Sequence, residues 1–257
     1  PCWWGSSLAI WSNQNNLEFD DYWIPLACAL GAILMRGAGC TWNDINDRNF
    51  DSQVSRTKLR PLPSGQVSVK QAITWLLIQL IFSLLILLTF NRYAITIGFL
   101  SILPVAIYPF AKRFTWWPQF FLGICFNWGI LLSFAAHNND LGASVMILYF
   151  SGIFWTLFYD TIYAYQDSED DALIGLKSTA LLFGNNAKYW LTSFIVIIFL
   201  SMQFSFSQIT KVSLISEIFI RFGAIGFCFH LVWQLWKLDI KDSDICLKLF
   251  QSNRTAG

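Results

Sequence analysis

Seven apolar runs recur along the 257-residue chain, at 22–40, 71–90, 93–111, 116–136, 143–166, 188–207 and 215–236. Each approaches the roughly 20 residues that an α-helix needs to cross a hydrocarbon core about 30 Å thick. The runs are continuous and do not alternate with polar residues, so the expected fold class is all-α, a polytopic transmembrane helical bundle. Charge agrees: only 13% of residues are charged, half of the about 25% in a typical soluble domain. An eighth stretch, PCWWGSSLAIW, is too short to cross and reads as the end of a span whose beginning is missing. Turn signals separate the runs: RPLPSG at 60–65, NRY at 91–93, HNNDLG at 137–142 and GNNAK at 184–188. No repeat or low-complexity segment divides the chain, so residues 1–257 are expected to form one transmembrane domain.

The basic residues fix an orientation. When the loops are assigned alternately to two sides, thirteen of the 17 Lys and Arg fall on one side. Arg92 and Lys211 fall on the other, and Arg36 and Arg221 lie inside spans. Such a skew in short loops places the first side in the cytoplasm or its equivalent. The net charge of +1 singles out no partner, and beyond the lipid bilayer no nucleic acid is expected. The six cysteines form no CxxC pair, and His137 and His230 have no Cys or Glu at metal-ligand spacing. The cysteines and His230 read as packing residues and His137 as a boundary-loop residue, none of them as a metal site.

Two acidic clusters fall on the basic side. The first is WNDINDRNFD, with Asn43, Asp44, Asp47 and Asp51; Asn43, Asp47 and Asp51 are spaced i, i+4, i+8 and share a helix face if the span continues. The second is YDTIYAYQDSEDD, in which Asp160, Asp167 and Asp171 are spaced i, i+7, i+11, again on one face of a continuous helix, with Glu169 and Asp170 pointing elsewhere. One acidic span end alone would read as a solvated loop. Two in helical register on one side are harder to explain so, and Asp160 lies inside an apolar run, where a charge is costly. Facing carboxylate rows repel unless cations lie between them. Oxygen donors without His or Cys suit Mg²⁺, which takes few carboxylates and keeps substrate phosphates as further ligands. Arg48, Lys58, Arg60, Lys112, Arg113 and Lys177 on the same side suit a diphosphate, although the orientation rule alone would also put basic residues there. Most of the 24 Phe, 13 Trp and 8 Tyr face lipid or the interface. Tyr108, Tyr163 and Tyr165, near the acidic side, are candidates to line a hydrocarbon groove or stabilise a cation.

The segment MRGAGCTWNDINDRNFDSQVSRTKLRPLPSG resembles the first aspartate-rich region of the UbiA family of intramembrane prenyltransferases, and Asn43, Asp44, Asp47 and Asp51 meet its NDxxDxxxD pattern. YDTIYAYQDSEDDALIGLKSTALLFG resembles the second region, and YPFAKRFTWWPQFFLG between them is also similar. The resemblance runs over essentially the whole chain and is strongest to the branch that prenylates 4-hydroxybenzoate for ubiquinone synthesis.

The resemblance implies nine spans around a central cavity open to lipid, about seven complete here plus the partial first. The domain is thus expected to be trimmed at both ends. It implies Mg²⁺ as cofactor, with Asn43, Asp47, Asp51, Asp160, Asp167 and Asp171 as metal ligands, Asp47, Asp51, Asp167 and Asp171 among them being catalytic. The diphosphate of a polyprenyl diphosphate would meet Arg48, Arg60, Lys112, Arg113 and Lys177. Arg36 and Asp44 would meet the aromatic substrate, and Tyr108 and Tyr163 the prenyl groove. Ionisation of the allylic diphosphate, followed by attack from the ring carbon ortho to the hydroxyl, is the expected reaction. The alternatives are a sister enzyme acting on homogentisate or a naphthoate, and a cation-coupled transporter. The expected location is multi-pass in a bacterial inner membrane, with the mitochondrial inner membrane as the alternative, and the site on the cytoplasmic or matrix side.

Overall fold

Polar capping residues bound the helices where the turn signals stand. The computed structural model describes residues 1–13, 17–53, 57–173, 175–209 and 214–257, without the Asp170 side chain. Arg56, Lys211 and the direction of Asp170 therefore lie outside the described residues. The helices are α1 (Cys2–Asn13), α2 (Phe19–Asp51), α3 (Val69–Leu87), α4 (Arg92–Leu100), α5 (Ile102–Ile107), α6 (Ala111–Phe114), α7 (Pro118–Asn138), α8 (Ala143–Ala164), α9 (Ser168–Leu173), α10 (Thr179–Phe183), α11 (Ala187–Ser207), α12 (Leu214–Lys237) and α13 (Ser243–Ala256). Ser68 caps α3 reciprocally with Gln71, and the Asn91 side chain accepts from Ala94 N at the start of α4. Asn139, at φ 58°, ends α7 in the left-handed conformation that Asn tolerates.

Seven segments among the described residues are long and apolar enough to cross a membrane: Phe19–Asp51, Val69–Leu87, Arg92–Phe114, Pro118–Asn138, Ala143–Asp167, Thr179–Ser207 and Leu214–Lys237. They overlap the seven apolar runs one for one. The described residues hold no strand, so the chain is an all-α integral membrane protein. The helix α2, at 33 residues, is about 50 Å long. This exceeds the about 30 Å of hydrocarbon, so its acidic last turns can project beyond the apolar layer.

The central element is α8, with 67% of its most apolar window buried against 11% for the peripheral α3. Lipid tails are as apolar as leucine, so packing in a bilayer relies on small residues and interhelical hydrogen bonds. Both occur around α8. The Asn127 amide donates to Thr156 Oγ1 at 2.8 Å across α7 and α8. Gly152 leaves the space for it, because a Cβ there would overlap Asn127 Oδ1. Between α12 and α13, Gln234 and Asn253 exchange amide hydrogen bonds at 3.1 Å in both directions, and Trp155 Nε1 of α8 donates to Asn253 Oδ1 at 3.0 Å. All three side chains are buried.

At the bundle end away from the acidic clusters, His137 is a helix residue and not a loop residue, with Nδ1 3.2 Å from Asp21. His230 is a packing residue, as expected, facing Ser252 at 3.1 Å. All six cysteines are free.

Asn253→Leu strands the polar groups of Gln234 and Trp155 in an apolar interior. A loss of about 1–2 kcal/mol is expected, read as a lowered melting temperature of the detergent-solubilised protein, with Gln234→Leu behaving alike. An unchanged melting temperature would show that the triad contributes nothing.

Candidate active site

The unbroken run of α2 through Asp51 carries the first acidic cluster as one helical row, and three basic residues close on it. Asp47 has no exposed side-chain surface, with Lys112 Nζ 2.7 Å from Oδ2 and Arg113 Nη2 3.2 Å from Oδ1. Arg113 also donates to the Asn46 carbonyl at 2.9 Å. Its guanidinium lies 5.1 Å from the ring centroids of both Phe50 and Phe110, a cation–π arrangement that fixes its plane. Arg60 spans the row from the other side, with Nη1 2.9 Å from Asp44 and 3.4 Å from Asp51.

The turn after α2 aims Arg60 back at the helix. The buried Thr57 hydroxyl donates to the Asp51 carbonyl at 2.9 Å, while Ser64 N donates to Arg60 O and Val67 N to Pro61 O, each at 3.0 Å. Gly65, at φ 78°, makes the reversal. Lys112 and Arg113 are aimed by a break in the span Arg92–Phe114. The 3₁₀ turn Tyr108–Phe110, with Pro109 lacking an amide hydrogen, separates α5 from the short α6 that carries both.

The second cluster is built differently from the sequence expectation. Helix α8 stops at Ala164, a 3₁₀ turn covers Tyr165–Asp167, and α9 restarts at Ser168. Three residues at about 120° each instead of about 100° shift the register by roughly 60°, so Asp160, Asp167 and Asp171 do not share the face of one continuous helix. Tyr165, a groove candidate, donates to the Gly184 carbonyl at 2.9 Å and anchors the turn after α10. The loop beyond α9 returns to the first cluster. Lys177 N donates to the Lys112 carbonyl at 3.0 Å, and its ammonium lies 3.4 Å from the Phe114 carbonyl and 5.7 Å from the Trp116 ring centroid. Below it, Thr161 and Thr179 hydroxyls pair at 2.7 Å, and Gln119 Oε1 accepts from Thr179 N at 3.1 Å.

The 3₁₀ turn that carries Tyr108 packs against α2 and α7. Tyr159, next to Asp160 on α8, packs against Trp155 and against Phe250 of α13. Arg36 and Arg48 are exposed, Asn43 is half-buried, and Tyr163 packs on Phe250 of α13 with ring centroids 4.3 Å apart and planes tilted by 34°. Among the described residues no three His, Cys, Asp or Glu side chains are grouped so as to hold a metal ion by themselves. The donor set nevertheless fits Mg²⁺, which commonly takes one or two carboxylates and draws its remaining ligands from water and substrate phosphate. What the arrangement offers chemically is a row of carboxylates with three cationic side chains already paired to it, a set of charges able to receive a metal-bound anion.

Over residues 1–255 the chain matches the UbiA prenyltransferase family. The chain belongs to that family. It is 45% identical over 265 residues to the mitochondrial 4-hydroxybenzoate polyprenyltransferase of Rattus norvegicus, covering 100% of this chain and 67% of the relative. It is 43% identical over 260 residues to the protein of the same name from Arabidopsis thaliana, covering 100% and 61%. Among solved structures, the apo UbiA homolog from Aeropyrum pernix K1 superposes with a TM-score of 0.78 at 20% identity, covering 98% of this chain and 94% of that one. The UbiA homolog from Archaeoglobus fulgidus bound to GPP and Mg²⁺ gives 0.66 at 16% identity, covering 100% and 96%. The family membership makes the chain a prenyltransferase, and the two structural likenesses show the UbiA fold.

Reasoning from sequence overlooked Phe50, Phe110 and Thr57, which orient Arg113 and the Arg60 turn. Phe50 and Phe110 stand inside quoted motifs within two residues of a charge, the one signal that could have marked them. Substitution Asp47→Ala removes the carboxylate that two cations share, and a loss of about 1–3 kcal/mol is expected. Asp44→Ala is expected to lose less, because Arg60 keeps Asp51. Equal melting temperatures for the two variants in detergent would contradict this ranking.

Proposed function

We propose that this chain transfers a polyprenyl group from a polyprenyl diphosphate to the ring carbon of 4-hydroxybenzoate ortho to the hydroxyl, a membrane step of ubiquinone biosynthesis. The observation that carries this reading is the site's charge layout: buried and half-buried carboxylates on α2, each already facing Arg60, Lys112 or Arg113. The names of relatives at 43–45% identity support the acceptor. They also favour a mitochondrial membrane over a bacterial one, and the skew of the basic residues favours the matrix as the side of the acidic end.

Asn43, Asp47, Asp51, Asp160, Asp167 and Asp171 are the oxygen donors that would hold Mg²⁺. Bound there, Mg²⁺ supplies Lewis-acid stabilisation of the departing diphosphate oxygens. Arg60, Lys112 and Arg113 leave their carboxylates for the diphosphate, and Arg48 and Lys177 add positive charge at its edge. Arg36, on the inner side of the row, neutralises the acceptor's carboxylate, with Asp44 nearby to orient its hydroxyl. Tyr108 and Tyr163 flank the hydrocarbon next to the breaking C–O bond, where water must be excluded for the allylic cation to reach the ring. The aromatic proton passes to Asp167, to Asp171 or to the departing diphosphate.

The test uses membranes carrying the chain, radiolabelled 4-hydroxybenzoate and a polyprenyl diphosphate, with Mg²⁺ or with EDTA. Mg²⁺-dependent label in the lipid extract is expected. Label that appears only with homogentisate or a naphthoate would move the acceptor to a sister reaction. Asp47→Asn and Asp171→Asn are each expected to lower turnover by about 100-fold or more, and wild-type turnover in either would sink the metal-cradle reading.

A further inference from the structure

We propose that the cleft between the start of α11 and the turn after α12 binds the headgroup of an aminophospholipid, a phosphate ester carrying a primary ammonium. The cleft has a volume of about 480 Å³. Asn185, Lys188 and Tyr189 line it from one side, and Leu238, Asp239 and Ile240 from the other. None of the carboxylates and cations of the candidate active site lines it, and the inference stands independently of the prenyl-transfer reading.

The cleft is at headgroup depth. Its first wall opens α11 after the 3₁₀ turn Gly184–Asn186, and its second follows Lys237, the last residue of α12. Helices α11 and α12 pack against each other and belong to two of the seven segments able to cross a membrane. Both walls therefore stand at the same membrane surface, the one that holds most of the basic residues. Tyr189 is 80% exposed and Trp236 74%, so neither ring serves as packing. Exposed Tyr and Trp at a span end sit where hydrocarbon gives way to headgroups. Lys237, with its ammonium 4.6 Å from the Trp236 ring centroid, belongs to the same level.

The polar groups of the two walls select the headgroup. Lys188 and Asp239 are both exposed, and among the described residues neither side chain enters an ion pair. Asp239 Oδ1 accepts from Lys241 N at 3.0 Å, which fixes the carboxylate within its turn. The buried Ala187 and Leu238 add apolar surface to the same cleft. A cation and an anion on opposite walls complement a ligand that carries both signs. A phospholipid phosphate suits Lys188, with the Asn185 amide and the Tyr189 hydroxyl as further donors. A primary ammonium suits Asp239, to which its N–H groups donate. A choline headgroup has the positive charge but no N–H to donate. An acidic headgroup or free phosphate brings negative charge towards Asp239 with nothing to offset it.

The test incubates the full chain in detergent with equimolar phosphatidylethanolamine, phosphatidylcholine and phosphatidylglycerol, and counts retained lipid by native mass spectrometry. Phosphatidylethanolamine is expected to be retained about fivefold over each of the others, the worth of one interfacial charge pair. Asp239→Asn is expected to bring it down to the level of phosphatidylcholine. Lys188→Gln is expected to lower the retention of both. Excess inorganic phosphate is expected to leave the bound lipid in place. Equal retention of the three lipids by the wild-type chain would make the cleft ordinary lipid-facing surface, and a preference for phosphatidylglycerol would reduce it to a basic patch. Either result overturns the proposal, as does a phosphatidylethanolamine preference that survives in both variants. Displacement by phosphate would assign the cleft to a free anion and overturn the lipid assignment. The wild-type comparison decides the headgroup class whatever the stability of the variants.

Discussion

Asp47 is the point on which the acidic end of this bundle is built. It is a carboxylate with no exposed side-chain surface at the end of a long apolar helix, and it is tolerable there because Lys112 and Arg113 face its two oxygens. Desolvating an ion costs several kcal/mol unless partners compensate. The pairing ties the end of the span Arg92–Phe114, broken at Tyr108–Phe110, to the end of α2. Arg60 does the same for the turn that follows α2. Segments far apart in the chain are drawn to one place by a few charges, in a fold whose other surfaces have little hydrophobic reason to choose one another inside lipid.

Irregular backbone gathers where those charges are. The 3₁₀ turns Tyr108–Phe110, Tyr165–Asp167 and Gly184–Asn186 interrupt helices at the acidic end. Elsewhere the described spans run as helix, except at Ser101, where α4 gives way to α5. Backbone groups freed by such breaks need partners, and several find them in neighbouring loops: Lys177 N on Lys112 O, and the Gly184 carbonyl under the Tyr165 hydroxyl. Deeper in the bundle the amide clamps of Asn127 and of Gln234 with Asn253 hold the helices. Rigid helices at depth and bent, cross-linked backbone at the mouth are the division of labour that the polar residues impose.

Much of this was legible in the residues. The seven apolar runs mark the seven spans because bilayer thickness sets a length that sequence alone can meet. The i, i+4, i+8 row on α2 was legible because nothing between Asn43 and Asp51 breaks a helix. The second row misled for a complementary reason: the 3₁₀ turn at Tyr165–Asp167 contains no proline or glycine, and its tightening answers to tertiary contacts of Tyr165 that a local pattern does not carry. The burial of Asp47 was also beyond reach, since a carboxylate at a span end looks solvated until the lysine and arginine more than sixty residues later are seen to close over it. Tyr165 resembled its neighbours as a groove candidate, and its hydroxyl settled on a carbonyl.

The hydrogen bond from Lys177 N to Lys112 O carries a mechanical meaning. Helix α6 and the loop beyond α9, separated in the chain by the whole of α7 and α8, are fastened main chain to main chain. Because the link uses backbone groups, substitution of either lysine side chain leaves the tie between the two segments in place.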